Sequence, residues 1–243
     1  MNRTLILCSH GSTSHRGRAA LASFVNAVRR EAPYLDVVDA FVDVQEPDID
    51  TVVSQTVGPR SIVPLMLTTD RSVAVDIARA SHQDPSVSVT PPIGPDWITA
   101  EVGVRRLFEA GARPNDTILL AAGAVVGDRA SDDVGKAARL LSAVWGGRVH
   151  VGTLSDEAPL AEAVDVARAY GQRVVVSPYV LAPGTAHDHI TDCGADVVTE
   201  PLLDGQAPDS RLVRLVLARA LARGSWLPVG HHPGPLDEGL TGS

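Results

Sequence analysis

The chain reads as an α/β protein made of two similar parallel-sheet domains, and three observations lead there. Apolar runs of strand length alternate with 3.6-period segments along the chain, turn residues separate them, and the pattern of the first half returns about 112 residues later. Regular alternation of this kind implies parallel strands joined by right-handed crossovers, with helices on both sheet faces.

Taken in order, Thr4-Leu5-Ile6-Leu7-Cys8 forms a strand near 4–8, followed by a helical segment near 17–31. A strand near 36–42 and a helix near 48–56 come next, then the run Ile62-Val63-Pro64-Leu65-Met66 in a strand near 60–66 and a helix near 72–80. A strand near 86–90 and a helix near 96–110 close the first half. In the second half, strands are expected near 117–122, 147–153, 172–178 and 196–199, and helices near 129–145, 158–170, 185–193 and 208–223. Pro178 follows Pro64 by 114 residues, and Val198-Thr199-Glu200-Pro201 repeats Val89-Thr90-Pro91-Pro92 at an offset of 109, a drift that loop insertions and deletions produce. Gly111-Ala112-Arg113-Pro114-Asn115-Asp116 interrupts the helical pattern before a new strand, so the domains divide as 1–113 and 114–225. Residues 226–243 lack periodicity and read as a disordered tail.

Composition narrows the function classes. With 243 residues and 44% hydrophobic content the chain can bury a large core, and with 4% aromatics that core must be mostly Val, Leu, Ala and Ile. A net charge of −8 argues against a nucleic-acid partner, because duplex affinity rests on Lys and Arg neutralising phosphates. No apolar stretch approaches a membrane span, and the strand after Met1-Asn2-Arg3 is too short for the apolar region of a signal peptide, so a cytoplasmic enzyme is the expectation. Cys8 and Cys193 have no Cys-x-x-Cys spacing and support neither a disulfide framework nor a structural zinc site.

The chemistry is expected at the carboxyl ends of the strands, where open α/β sheets bind ligands. The first strand runs into Ser9-His10-Gly11-Ser12, which puts His10 at a strand-to-helix turn; it serves there either as a site imidazole or as a cap of the next helix. Asp43, in Ala40-Phe41-Val42-Asp43, leaves the same sheet edge and is either a carboxylate of the site or a solvated strand end. An imidazole and a carboxylate in one cleft bind a divalent cation or take up protons. The second half has Ala122-Gly123-Ala124 where the first has His10-Gly11-Ser12, and it brings a His187-Asp188-His189 segment of its own. Because a helix turns about 100° per residue, His187 and His189 should not point the same way.

The His-Gly-Ser start, the Ala-Phe-Val-Asp then Glu-Pro segment, the Val-Pro-Leu-x-Leu strand and the later Pro-Pro-Ile-Gly-Pro-Asp turn together resemble sirohydrochlorin chelatases of the CbiX/SirB type, over residues 4–110 and more faintly 117–223. The resemblance implies two similar α/β domains that face each other across a cleft holding a tetrapyrrole, into which Co²⁺, Fe²⁺ or Ni²⁺ is inserted as a substrate without any nucleotide. It implies further that His10 is the first metal-handling histidine and that Asp43 stands where the family usually has Glu. Ser72 occupies the position of the family's second histidine, and a hydroxyl is a poor ligand for such ions. His187, one residue from the repeat counterpart of Ser72, is the expected replacement, so that His10 and His187 share the metal, with His189 as a weaker choice.

A polycarboxylate substrate needs cations, for which Arg16, Arg18, Arg71 and Arg129, together with Ser12, are the substrate-binding candidates. Two fused halves make a monomer sufficient. The competing expectation is a degenerate relative that binds a tetrapyrrole or metal ion as a carrier, sensor or partner subunit. A histidine phosphatase, which also begins with His-Gly after a strand, needs Arg before that His, and Ser9 stands there.

Overall fold

A computed structural model describes residues 3–68, 71–82, 84–154, 160–170 and 173–222, with the side chains of Arg71 and Ser72 also outside the description. The tail expected over 226–243 lies outside the described residues. The first half runs β1 (Thr4–Ser9), α1 (His15–Glu31), β2 (Asp36–Phe41), α2 (Ile49–Gln55), β3 (Arg60–Pro64), α3 (Arg71–His82), β4 (Val87–Val89) and α4 (Trp97–Glu109). The second runs β5 (Thr117–Ala122), α5 (Asp128–Trp145), β6 (Val149–Thr153), α6 (Leu160–Arg168), β7 (Val174–Tyr179), α7 (Thr185–Thr191), β8 (Val197–Val198) and α8 (Ser210–Leu221).

The strands form two four-stranded parallel sheets, ordered β2-β1-β3-β4 and β6-β5-β7-β8. The strand order is the same in each half. Central strands β1 and β3 are buried along their whole length, as strands covered on both faces must be. Side-chain alternation divides them between two cores: Leu5 and Leu7 face α1, while Ile6 and Cys8 face α2 and α3. In β5, Ile118 and Leu120 face α5 while Leu119 and Ala121 face α6 and α7.

The closing helices of the halves are exchanged. The apolar face of α8, with Leu212, Val213, Leu215 and Val216, joins the core of β1, β3 and α1, although α8 follows the second sheet in sequence. Reciprocally, Val104 and Leu107 of α4 pack with Ile118, Leu120 and Leu141 of the second half. Amphipathic periodicity predicts the buried stripe of a helix but not the sheet that receives it.

Arginines bind the exchanged helices together. Arg219 near the end of α8 meets the α4 cap Asp96 at 2.8 Å, and Arg211 near its start meets Glu101 at 3.1 Å. Asp209 caps α8 by accepting from Arg211 N–H at 2.8 Å and also pairs with Arg105 at 3.0 Å. Burial pushes the Asp209 carboxyl up, but the hydrogen bonds from Arg211 and the charges of Arg105 and Arg211 outweigh it and hold the group below the usual range. Among the described residues no helix is long and apolar enough to cross a membrane.

The exchange predicts where damage travels. Leu212→Ala, in a side chain 1% exposed, should cost about 2–5 kcal/mol in urea unfolding and raise amide exchange in β1 and β3, some 150 or more residues away in sequence. Exchange raised in β5 and β7 instead would contradict the packing described.

Candidate functional site

At the carboxyl end of the first sheet the chain turns from β1 towards both neighbours, β2 and β3, which leaves a crevice at the switch point. The segments leaving β1 and β2 stay paired: Val42 N–H donates to the Ser9 carbonyl at 3.1 Å and Val44 N–H to the His10 carbonyl at 3.2 Å. His10 and Asp43 thereby share a wall. The crevice opens into a cleft of about 490 Å³ whose opposite wall is the segment from Val180 to His187, after β7.

His10, Asp43 and His187 all line this cleft, the first two exposed and the third 8% exposed. His187 lies in the short helix α7, with Nε2 3.4 Å from the Thr199 carbonyl oxygen. A carbonyl only accepts, so this contact favours the tautomer that carries its proton on Nε2 and leaves Nδ1 with the lone pair. His189 is exposed and outside the cleft lining, as the helical rotation between them requires.

The two walls are tied directly. Ser12 O–H donates to the Pro183 carbonyl at 3.4 Å, and Tyr179 O–H donates to the Leu67 carbonyl at 2.8 Å. Burial, with the nearby charges of Asp133 and Asp96, raises the Tyr179 phenol well above its ordinary value, so it remains a donor. In α1, Gly17 lets the helix approach Pro183: a Cβ built there would lie 2.2 Å from the Pro183 carbonyl oxygen.

The remaining candidates are placed differently. Arg18 donates to the Thr13 carbonyl at 2.8 Å and the Ser12 carbonyl at 3.3 Å, bracing the turn, and Arg16 reaches Glu200 across the halves at 3.5 Å. Arg129 is exposed in the first turn of α5. Neither Arg16, Arg18 nor Arg129 lines the cleft; among the described residues its lining contains no Arg or Lys. Ser72 lies in the first turn of α3, and its side chain and that of Arg71 are outside the described residues. Among the described residues no three His, Cys, Asp or Glu side chains gather closely enough to form a metal cage.

Sequence reasoning missed Tyr179, Thr199 and Gln45, whose Oε1 accepts from Ser12 N–H at 2.7 Å. The only signal for Tyr179 was its place after Pro178 at the repeat counterpart of β3; for Thr199 and Gln45 there was none, because their partners are distant in sequence. Cys8, next to the site in sequence, is fully buried on the other side of the strand.

Comparison with known proteins follows this geometry. The CbiX family model matches residues 4–110. SirB from Bacillus subtilis, solved with Fe3+, superposes with a TM-score of 0.70 at 20% identity, over 90% of this chain and 94% of that one. The sirohydrochlorin chelatase SirB from Bacillus subtilis subspecies spizizenii, in complex with cobalt, gives 0.68 at 21% identity over the same shares. CbiX, the terminal enzyme for biosynthesis of siroheme in denitrifying bacteria, gives 0.61 at 22% identity, over 91% of this chain and 100% of that one. No curated protein matches the chain at a significant level.

Two outcomes check the packing around the site. Gly17→Ala should destabilise by about 1–3 kcal/mol in thermal unfolding, because the backbone of Pro183 must give way; unchanged stability would mean that the walls are not in contact there. Burial, with a smaller contribution from the Asp76 charge, pushes the Cys8 thiol up to about 12. At pH 8 Cys8 should therefore resist a thiol reagent in the native protein and react once urea unfolds it; labelling as fast as in the unfolded chain would show that the strand is open.

Proposed function

We propose, from the CbiX family model that matches residues 4–110, that this chain inserts a divalent metal ion, Co²⁺, Fe²⁺ or Ni²⁺, into a sirohydrochlorin-type tetrapyrrole held in the cleft. The observation that carries this reading is the convergence of His10, Asp43 and His187 from both halves on one cavity. The metal is a substrate here, delivered to one face of the macrocycle. His10 and His187 hold it with imidazole nitrogens, which suit these ions. As the metal passes to the macrocycle, the two pyrrole N–H protons must leave: the His10 imidazole, released from the ion, accepts one, the Asp43 carboxylate accepts the other, and both pass on to water.

The exposure of His10 and Asp43 suits this work, since an accepted proton must pass on to water before the next turnover. His187 differs, being buried and bonded to Thr199, and is suited to holding an ion in a set direction. The apolar part of the lining, with Val44, Leu65, Val180 and Leu181, offers a surface for the macrocycle. One chain carries both walls, so a monomer suffices.

A second reading, a tetrapyrrole or metal binder without turnover, is favoured by Ser72 at the position of the second family histidine and by the lack of a three-ligand cage among the described residues. An anaerobic absorbance assay with sirohydrochlorin and each ion in turn separates the two. Repeated conversion of the free macrocycle spectrum beyond one equivalent of protein is expected. A stoichiometric spectral shift without turnover supports the binder, and no change at all overturns both. His10→Ala should abolish turnover and His187→Ala should raise the metal concentration needed for half-maximal rate by about 10-fold or more; full activity of His10→Ala would remove His10 from the mechanism.

A further inference from the structure

We infer that Gln45 is a positioning residue for His10. The consequence for metal insertion rests on the function proposed above, whereas the geometry stands by itself. Gln45 is half-buried and does not line the cleft; it lines a small neighbouring cavity between β1, β2 and α1. Its side chain leaves the exit of β2 and crosses to the turn after β1, where Oε1 accepts from Ser12 N–H at 2.7 Å. One residue earlier, Val44 N–H donates to the His10 carbonyl at 3.2 Å. The tripeptide His10-Gly11-Ser12 is thus fastened at both ends to consecutive residues of the segment that carries Asp43.

Between the two fastenings lies the residue with the greatest backbone freedom. Gly11 has φ of 85°, in the left-handed region that strains any other side chain. A Cβ built on Gly11 would lie 3.1 Å from both Cβ and Cγ of Gln45 and 3.2 Å from Oε1, so the Gln45 side chain packs on the bare face of the glycine. Without an acceptor at position 45, Ser12 N–H loses its partner, and of the two ties from this tripeptide to the segment after β2 only the one at the His10 carbonyl remains. His10 itself is exposed, and among the described residues its side chain has no hydrogen-bond partner. Its orientation in the cleft therefore depends on the backbone that bears it; Arg18 braces that backbone from α1 at the Ser12 and Thr13 carbonyls, and the Gln45 amide oxygen ties its N–H side to the segment after β2.

An acceptor oxygen at this reach is the required feature, which makes the inference separable from simple packing. Gln45→Met keeps the length and shape of the side chain and removes the acceptor; Gln45→Glu keeps an oxygen. Both variants are compared with wild type as full chains, with thermal unfolding as the control for folding. The readouts are Co²⁺ titration without tetrapyrrole and steady-state metal insertion. Gln45→Met is expected to weaken Co²⁺ binding and lower kcat by about 10–100-fold with KM for the tetrapyrrole within about twofold, while Gln45→Glu stays within about threefold of wild type.

Wild-type behaviour of Gln45→Met in both readouts overturns the inference, as does an equal loss in a folded Gln45→Glu. Should wild type bind Co²⁺ and insert none, the chelatase reading fails while the titration still decides Gln45: loss in Met with retention in Glu sustains it, and equal affinities overturn it. Wild type that neither binds Co²⁺ nor inserts any of the three ions overturns both.

Discussion

Burial of the α8 apolar face on the sheet of the first half is the constraint on which the rest of the structure depends. Each aliphatic side chain removed from water contributes about 1.5–3 kcal/mol, and α8 commits Leu212, Val213, Leu215 and Val216 to a core that its own half does not build. With α4 given in exchange, neither half has a complete core alone. Pulling the halves apart would expose both helices and break the pairs Arg219–Asp96 and Arg211–Glu101. The spacing of the cleft walls is therefore set far from the cleft, and the direct ties, Tyr179 to Leu67 and Ser12 to Pro183, refine a geometry already imposed.

On this symmetric frame the chemistry is asymmetric. The first strand of the first half ends in His10, and its counterpart β5 ends in Ala122-Gly123-Ala124. Conversely, Ser72 in α3 answers to the region of His187 in α7. Each half thus keeps an imidazole where the other has none, and the cleft receives one from each side. Fusion of two halves in one chain permits this, because each copy of a position is free to change independently.

The arginines show how little a residue type says before its partners are known. Arg16, Arg18, Arg71 and Arg129 are candidates for binding an acidic substrate because a chain of net charge −8 needs local cations for it. In the fold Arg18 braces the turn after β1 and Arg16 spans the halves to Glu200. Arg106, with a side chain 7% exposed, is buried among Glu109, Asp204 and the Leu202 carbonyl, where the guanidinium fork satisfies several acceptors at once. Sequence spacing cannot distinguish these uses, since Glu200 for Arg16, and Asp204 and Leu202 for Arg106, lie about a hundred or more residues away.

The sequence by itself determined the alternation of strands and helices, the two-fold repeat and the carboxyl edge at which His10 and Asp43 emerge. These follow from local periodicity and from the handedness of parallel crossovers, which act over a few tens of residues. Strand ends differed most where side-chain pattern and backbone pairing part company: Leu65 and Met66 continue the apolar run of β3, yet the ladder stops at Pro64. Only the tertiary structure decided that α4 and α8 change places, that His187 and not His189 turns into the cleft, and that Gln45 holds the turn bearing His10. Each of these rests on groups separated in sequence: Gln45 meets Ser12 once β2 has paired with β1, His187 meets Thr199 across the second half, and α4 and α8 find their cores only when the two sheets pack together.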